Sequence, residues 1–352
     1  MTAKECVRII WDECFSDPFE WKELFFERVF KEEYASVILD NAQPVSSMML
    51  LPYDFMFQGE IVKSTYVYAA ATRKHFRNKG MMTQLMKKAL NESREKGNLF
   101  TVLIPASREL YFYYDRFDFS TVFFIKEERY TSVHRFRPES KYITEINPPK
   151  EIYEQAFLKL QESRRAGIYH GPDDLDNILW DLELDNGSVI TVRNDVDDEV
   201  VGIGFVVKKP GQILVREVLA TDSDAAEAIL SEIRSLYGEF EITVQSVPDD
   251  RIVSMESRGM LRIVNVPETL RIIATANPNL STKVKVSDSI IPGNNGLFFI
   301  DKGDVVKLDE KSKKLDLDVS VKTLAEILFN SPSVGNLFDL PSQRPFMSLM
   351  LE

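Results

Sequence analysis

The stretch that most constrains the fold runs from residue 60 to residue 105. It opens with EIVKSTYVYAAAT (60–72), whose β-branched and aromatic residues predict a strand. A basic loop, RKHFRNKG, follows, and apolar residues then recur at helical spacing from Met81 to Lys96, with Gly97 placed to end the helix. The next run, LFTVLIP (99–105), is typical of a buried strand. A strand, a helix and a second buried strand in this order indicate a mixed α/β or α+β fold.

The flanking patterns extend this unit into a first domain, predicted at residues 1–130. Residues 17–30 have the spacing of an amphipathic helix, and residues 44–51 are typical of a strand. Beyond the central unit, residues 107–117 indicate a helix and residues 119–125 another strand. A stretch of low periodicity, 126–148, is expected to bridge to the next block.

The second block, predicted as a domain at residues 131–258, repeats the order of strands, helix and strand. We infer an internal duplication from this order. Its strand-to-helix link, ATDSDAA, lacks the glycine-rich turn of the first copy, so we expect no cofactor there. The predicted helices are 150–163, 172–182 and 223–237, and the predicted strands are 188–194, 200–209, 212–220 and 241–247.

A third block, predicted at residues 259–352, is shorter and differs in pattern. A Pro-Gly-Asn-Asn-Gly turn (292–296) divides it, and Ser320 is placed to cap its last helix. Its predicted elements are helices at 267–275 and 321–329 and β runs at 281–287, 297–301 and 305–309. The block ends in an apolar tail, PFMSLMLE.

Composition narrows the class of protein. The chain has 352 residues, which suggests two or three domains. Lys and Arg number 43 against 55 Asp and Glu, a net charge of −12, which argues against nucleic-acid binding and suits a cationic substrate. A need for solubility alone would explain the same charge. No apolar run is long enough to span a membrane, and no signal peptide or disulfide framework is evident, so we expect a cytoplasmic protein. The three histidines lie far apart, so no metal site is expected.

The loop before the second helix carries the clearest chemical signal. Four cations, Arg73, Lys74, Arg77 and Lys79, precede the helix, and Gly80 lets a ligand approach the backbone closely. Free amides at a helix start bind anions, so the loop suits a phosphorylated cofactor. An ordinary basic helix start is the alternative interpretation of the loop alone.

Two motifs here resemble the GNAT acetyltransferase superfamily. Arg77-Asn78-Lys79-Gly80-Met81-Met82 is similar to its Gln/Arg-x-x-Gly-x-Gly/Ala loop, with Met82 in place of the small residue. Tyr113-Tyr114-Asp115-Arg116-Phe117-Asp118-Phe119 resembles its Phe-Tyr-x-x-x-Gly-Phe segment, with Asp118 in place of glycine. Asp tolerates left-handed geometry better than most residues, so the turn can survive.

The whole chain resembles the Eis (enhanced intracellular survival) branch of that superfamily. The later matches are Met260–Val266, Val286–Asp288, Gly293–Gly296 and Leu324–Leu328. The resemblance implies two GNAT-like domains in tandem, the second degenerate, followed by a sterol-carrier-protein-like domain whose tail reaches the active site. It also implies trimers or hexamers.

The resemblance further implies acetyl transfer from acetyl-CoA to an amine, with no metal and with a small molecule or a peptide as acceptor. Tyr114 is the expected acid, although aromatic residues crowd around it and packing alone would explain it. The carboxylate of Glu352 is the implied base. Ala70, Ala71 and Thr72 are expected to bind the pantetheine arm, Arg77 a phosphate, and the amides of Asn78, Lys79, Gly80, Met81, Met82 and Thr83 the pyrophosphate.

Aminoglycoside-like compounds, polyamines and lysine side chains all remain open as acceptors. The main alternative is a non-catalytic binding protein whose C-terminal domain carries an apolar ligand. A purely structural role is a third interpretation.

Overall fold

The fold is taken from a computed structural model that describes residues 1–138, 141–248, 255–309, 315–329, 338 and 344–351. The chain divides into two compact units. Unit 1 comprises Met1–Phe123 and Ser257–Arg344, and unit 2 comprises Phe124–Glu256 and Pro345–Glu352. The three-part division expected from the sequence stays a prediction.

The described residues form a mixed α/β fold. Their helices are α1 (Ala3–Cys14), α2 (Phe19–Arg28), α3 (Met81–Glu95), α4 (Arg108–Asp115), α5 (Lys150–Gln161), α6 (Pro172–Leu184), α7 (Ser223–Tyr237), α8 (Val266–Ala276) and α9 (Val321–Leu328). Their strands are β1 (Ala35–Asp40), β2 (Gln43–Phe57), β3 (Glu60–Thr72), β4 (Phe100–Leu103), β5 (Ser120–Tyr130), β6 (Tyr142–Ile146), β7 (Ala166–Tyr169), β8 (Ser188–Asn194), β9 (Val200–Lys209), β10 (Gln212–Ala220), β11 (Glu241–Ser246), β12 (Glu256–Ile263), β13 (Thr282–Ser287), β14 (Gly296–Asp301), β15 (Asp304–Leu308) and β16 (Leu317–Ser320).

In unit 1, β1, β2 and β3 form an antiparallel meander, β4 joins β3 in parallel, and β12 pairs antiparallel with β4. The connection from β3 to β4 passes through α3, which is the β-α-β arrangement predicted from the sequence. Helix α3 buries Leu85, Met86, Ala89 and Leu90 in a core that also contains Tyr114. Burial of this apolar stripe holds the start of α3 beside the end of β3.

A second sheet of unit 1 has the strand order β15-β14-β13-β16, with β13 and β16 parallel. It contacts helices α8 and α9. Asn265 caps α8 and Ser320 caps α9, each by accepting a hydrogen bond from a helix amide, as expected for Ser320 from the sequence.

Unit 2 is built on the strand order β11-β10-β9-β8-β6, and the end of β5 pairs with β11. Strands β10 and β11 are parallel and are joined by α7, while β9 and β10 are antiparallel. Unit 2 therefore repeats the connectivity of β2, β3, α3 and β4. Separate apolar clusters form around α7 and around α5 and α6.

The apolar tail packs within unit 2, and its reach to the active site stays a prediction. Phe346, Met347, Met350 and Leu351 are all buried. The Ile168 amide donates to the Phe346 carbonyl over 2.9 Å, and a Cβ at Gly167 would lie 2.6 Å from that same oxygen. This close backbone approach requires glycine at position 167.

The sequence prediction missed several elements. It assigned no structure to α1 or β1, and it treated 126–148 as a bridge although β5 continues to Tyr130 and β6 occupies Tyr142–Ile146. Lys126 and Glu128, two residues apart in β5, form an ion pair at 2.5 Å. This part of β5 has polar residues where an apolar alternation would have indicated a strand.

Candidate functional site

A cavity of about 720 Å³ opens in unit 1 between the end of β3, the start of α3 and helix α4. Its volume is in the range of cavities that hold small molecules and cofactors. Its lining residues are Cys14, Phe15, Ala70, Ala71, Thr72, Phe76, Arg77, Asn78, Gly80, Met81, Met82, Thr83, Leu110, Tyr113, Tyr114 and Arg116.

The end of β3 forms one wall. Strand β3 pairs with β4 from Ser64 to Tyr66, and Ala70–Thr72 lie beyond that ladder. A bulge precedes them, because the register with β2 shifts after Tyr68, and Ala69 has a φ of +47°. Bulges turn a strand away from its neighbour. The backbone of this strand end is therefore placed to pair with an extended ligand rather than with β4.

The start of α3 forms the second wall. Asn78 and Gly80 have positive φ values of 61° and 79°, and no side chain caps the helix. The first amides of an α-helix have no intrahelical acceptor, so those of Met81, Met82 and Thr83 are available to an anion. A Cβ at Gly80 would meet nothing within 4 Å, which shows open space above the loop.

The cations of this loop are not equivalent. Arg73 donates to Glu13 over 2.6 Å, and the Lys74 amide donates to the same carboxylate over 2.7 Å, so Arg73 is already neutralised. The hydrogen bond from Arg73, then that from Lys74, holds the pKa of Glu13 below its usual value. Arg77 donates to the Thr72 carbonyl over 3.0 Å and has no ion-pair partner among the described residues. Arg77 is therefore the loop cation best placed to bind a phosphate.

Helix α4 forms the third wall. The Arg116 guanidinium lies 4.5 Å from the centre of the Tyr113 ring and, within the described part of the chain, pairs with no carboxylate. Burial raises the pKa of the Tyr113 hydroxyl, and an interaction with the Thr83 side chain opposes that shift. Arg116 thus adds a second free cation to the lining.

Tyr114 is the most deeply buried tyrosine of the lining, with 8% of its surface exposed. Its hydroxyl forms no hydrogen bond to any described residue. Burial, followed by the nearby Tyr113, raises the pKa of Tyr114 to about 12. The hydroxyl therefore remains protonated near neutral pH and can donate a hydrogen bond into the cavity.

Cys14, from the end of α1, also lines the cavity. Its thiol donates to the Thr72 carbonyl over 3.6 Å. Burial raises the pKa of Cys14, while a hydrogen bond to Arg77 opposes that shift. The thiol is therefore expected to be neutral and to contribute packing at the strand end.

The cavity brings together nearly all the cofactor-binding residues predicted from the sequence. Lys79 is outside the lining, with its ammonium 5.2 Å from the centre of the Phe76 ring. Glu352 lies outside the described residues. The roles assigned to all these residues stay predictions. Asp118 has a φ of +60°, so the left-handed turn expected there is confirmed.

Sequence reasoning missed Cys14, Phe15, Phe76, Leu110, Tyr113 and Arg116 as lining residues. Arg116 stands within the quoted motif, and its positive charge could have marked it as a second phosphate ligand. Cys14 and Phe15 belong to the end of a helix that the sequence analysis did not identify, so nothing pointed to them.

Unit 2 differs from unit 1 at the matching helix start. Asp222 caps α7 by accepting from the Ala225 amide over 2.8 Å and from the Tyr142 hydroxyl over 3.1 Å. The hydrogen bond from Ala225 is the main reason that the pKa of Asp222 is lowered. A carboxylate of the protein thus already occupies the anion position of α7.

No described helix is both long and apolar enough to cross a bilayer. Within the same residues, no group of three or more His, Cys, Asp or Glu side chains is arranged to hold a metal ion.

Comparison with known protein families gives a match for the part of the chain that contains the cavity lining. Residues 3–122 match the family described as "Acetyltransferase (GNAT) domain". Comparison with curated protein sequences gives no match.

Solved structures match over nearly the whole chain. A probable N-acyltransferase from Enterococcus faecalis has a TM-score of 0.78 and 16% identity, covering 93% of this chain and 87% of its own. A GCN5-related N-acetyltransferase from Kribbella flavida has a TM-score of 0.76 and 16% identity, covering 95% and 88%. Eis1 from Mycobacterium abscessus has a TM-score of 0.72 and 13% identity, covering 97% and 95%. At these identities the likeness shows a shared fold.

Proposed function

Because the chain contains a GNAT acetyltransferase domain and is an acyltransferase, we propose that it transfers the acetyl group of acetyl-CoA to a cationic amine. The observation that carries this proposal is the composition of the 720 Å³ cavity. A strand end that lies beyond the ladder with β4, a helix start without a capping side chain and a tyrosine hydroxyl all line it. The non-catalytic alternative, which uses the C-terminal domain, assigns no role to this combination.

Each wall suits one part of acetyl-CoA. The backbone of Ala70–Thr72 can pair with the amides of the pantetheine arm in the manner of an added strand. The free amides of Met81–Thr83 and the guanidinium of Arg77 suit the diphosphate. Arg116 supplies a further cation for the phosphates.

The chemistry requires one proton to leave the amine and one to reach the sulfur. The neutral amine attacks the thioester carbonyl carbon, a C–N bond forms, and the C–S bond breaks to release a thiolate. Tyr114 is placed to donate a hydrogen bond to the developing thiolate, which then takes a proton from water. The described lining contains no carboxylate, so the base comes from elsewhere, and the carboxylate of Glu352 remains our candidate.

The acceptor class rests on charge. The chain has a net charge of −12, and an acidic protein concentrates cationic ligands by long-range attraction. Aminoglycoside-like compounds, polyamines and lysine peptides share a protonated amine beside other cations. We propose that the acceptor belongs to this group.

Titration of acetyl-CoA into the full chain by calorimetry, followed by thiol release with a panel of these amines, tests the proposal. We expect one cofactor per chain, because Asp222 fills the second helix start. Binding without thiol release from any amine would refute the acceptor class. Two cofactors per chain would refute the assignment of the site to unit 1 alone.

The resemblance to the Eis branch carries two further proposals. A C-terminal domain of the sterol-carrier type and assembly into trimers or hexamers both follow from it. Sedimentation of the purified chain measures the assembly directly, and a monomer would refute that part.

A further inference from the structure

Arg262, Asp288 and Asn294 lie in the segments that resemble the Eis branch. They have no role in the proposed chemistry, yet they lie together in the core of unit 1. Arg262 and Asp288 have fully buried side chains, and Asn294 is also fully buried. Arg262 donates to Asp288 over 2.7 Å. Burying two charges costs free energy unless geometry and further hydrogen bonds compensate, so this pair calls for an explanation.

Arg262 also reaches the helix that carries Tyr114. Its Nε donates to the Phe117 carbonyl over 2.6 Å, and its terminal nitrogen lies 3.7 Å from the carboxylate of Asp118. Phe117 and Asp118 form the left-handed turn that ends α4. The Phe117 amide in turn donates to the Tyr114 carbonyl over 2.9 Å. The Arg262 side chain from β12 is therefore hydrogen-bonded to the turn after α4, and the same turn is hydrogen-bonded to the Tyr114 carbonyl.

Asp288 holds the Arg262 guanidinium in place. Its carboxylate accepts from the amides of Ile290 and Ile291 over 2.8 and 2.9 Å and from the Asn294 side chain over 2.8 Å. Burial alone would raise the pKa of Asp288, but the hydrogen bonds from Arg262 and these donors outweigh it, so the pKa is lowered. The carboxylate stays charged and holds Arg262 in one orientation.

Helix α9 contacts the end of α4 and the first residue of β5. The ammonium of Lys322 pairs with Asp115, and the Ser120 hydroxyl donates to the Lys322 carbonyl over 2.8 Å. Ser289 adds a hydrogen bond to Asp118 over 3.4 Å. Contacts from β12, from the loop before β14 and from α9 thus converge on one short turn.

We propose that Arg262, oriented by Asp288, is a positioning residue for Tyr114. It fixes the turn after α4 and so holds the Tyr114 hydroxyl at the cavity. This inference rests on the proposed role of Tyr114. It assigns a task in catalysis to the part of unit 1 that follows Ser257, although that part contributes no residue to the lining.

The test uses Arg262→Lys in the full chain. Lysine keeps the charge opposite Asp288 but cannot also donate to the Phe117 carbonyl in the guanidinium geometry. We expect kcat to fall on the order of 10-fold, since small misplacements of reacting groups have large effects on rate, with the acetyl-CoA Kd unchanged. Ile300→Ala, a fully buried change in β14 away from this network, is the control for lost stability.

Two readouts decide the inference. Hydrogen exchange of the free protein should quicken at residues 115–119 in Arg262→Lys and not in Ile300→Ala, and unchanged exchange there would overturn the proposal. A double-mutant cycle should show that Arg262→Lys costs nothing further once Tyr114 is Phe. Additive losses of kcat would refute the coupling between Arg262 and Tyr114. Full turnover in Tyr114→Phe would instead refute the proposed role of Tyr114 as the hydrogen-bond donor. If Arg262→Lys does not fold, Asp288→Asn replaces it, because it keeps an oxygen for the Ile290 and Ile291 amides.

Discussion

Tyr114→Phe is the sharpest test of the proposed chemistry, because it removes one oxygen and leaves the surrounding contacts in place. The hydroxyl forms no hydrogen bond to a described residue, so its removal leaves no described polar group without a partner. The ring remains packed against Tyr113 and Phe119, at 5.4 and 6.0 Å between ring centres. We therefore expect the free energy of unfolding to change by less than about 1 kcal/mol.

The size of the effect on kcat follows from the pKa of Tyr114. That pKa is about 12, and an ordinary thiol has a pKa of about 8.5. Complete transfer of the proton to the thiolate is then uphill by roughly 5 kcal/mol, at 1.36 kcal/mol per pKa unit. Tyr114 thus acts chiefly as a hydrogen-bond donor in the transition state. Loss of one such donor lowers kcat by about 10²–10³-fold, or roughly 3–4 kcal/mol.

The assay is release of free thiol at saturating acetyl-CoA and amine, combined with the acetyl-CoA Kd from calorimetry. We expect kcat and kcat/KM to fall together while the Kd stays within about 2-fold, the pattern of an interaction made only in the transition state. Tyr113→Phe is the matched control, because Tyr113 is half-buried beside Tyr114 and also lines the cavity. It should affect the Kd more than kcat, because Tyr113 lines the cavity together with Thr83 at the start of α3 and has no proposed role in proton transfer.

The pH profile provides the refutation. A phenol with a raised pKa stays protonated until the pH approaches about 12, so Tyr114 should produce no fall in kcat between pH 8 and pH 10. A fall in that range that disappears in Tyr114→Phe would contradict the burial argument. Full turnover in Tyr114→Phe would remove Tyr114 from the mechanism.

Three further outcomes are expected. Arg77→Met and Arg116→Met should each weaken acetyl-CoA binding about 5-fold by calorimetry, since an exposed charge-assisted hydrogen bond contributes about 1 kcal/mol. Arg73→Met is the control, because Glu13 already neutralises the charge of Arg73. An equal loss of affinity in Arg73→Met would contradict this ranking of the three cations. Because the pKa of Tyr114 is raised from 10 to about 12 on folding, the free energy of unfolding should be unaffected by its titration below pH 10 and should fall by roughly 3 kcal/mol as the pH rises through about 12. Chemical unfolding that is no less pH-dependent there in Tyr114→Phe would speak against it. One glycine added after Glu352 should lower kcat at an unchanged acetyl-CoA Kd, and unchanged turnover would rule out a terminal carboxylate as the base.

The sequence was most informative where local pattern and tertiary structure agree. Strand β3 coincides with the predicted residues 60–72, because its apolar and β-branched residues match a buried strand. The amphipathic stripe of α3 and the glycine before it located the helix start correctly. Both features are set by residues close together in the chain.

What the sequence could not supply depends on contacts between distant residues. Arg73 and Arg77 look alike in the loop, and only the position of Glu13, some sixty residues earlier in the chain, shows that Arg73 is neutralised. Arg262 lies far along the chain from the turn at Phe117, so nothing local indicated that it would bond there. Ion pairs of this kind cannot be inferred from periodicity.

The two β-α-β arrangements give a physical reason for the proposal that unit 1 binds a phosphorylated cofactor and unit 2 does not. Both present a helix start after a strand, so both have the same positive end of a helix dipole. In unit 2 the Asp222 carboxylate already accepts from the Ala225 amide, and a pyrophosphate would have to displace a charge that the helix itself stabilises. In unit 1 the helix start is Gly80, with no side chain to compete and with open space above it. The difference between a ligand site and a capped helix therefore rests on the residue at the N-cap, which is readable in the sequence once the strand and the helix on either side are known.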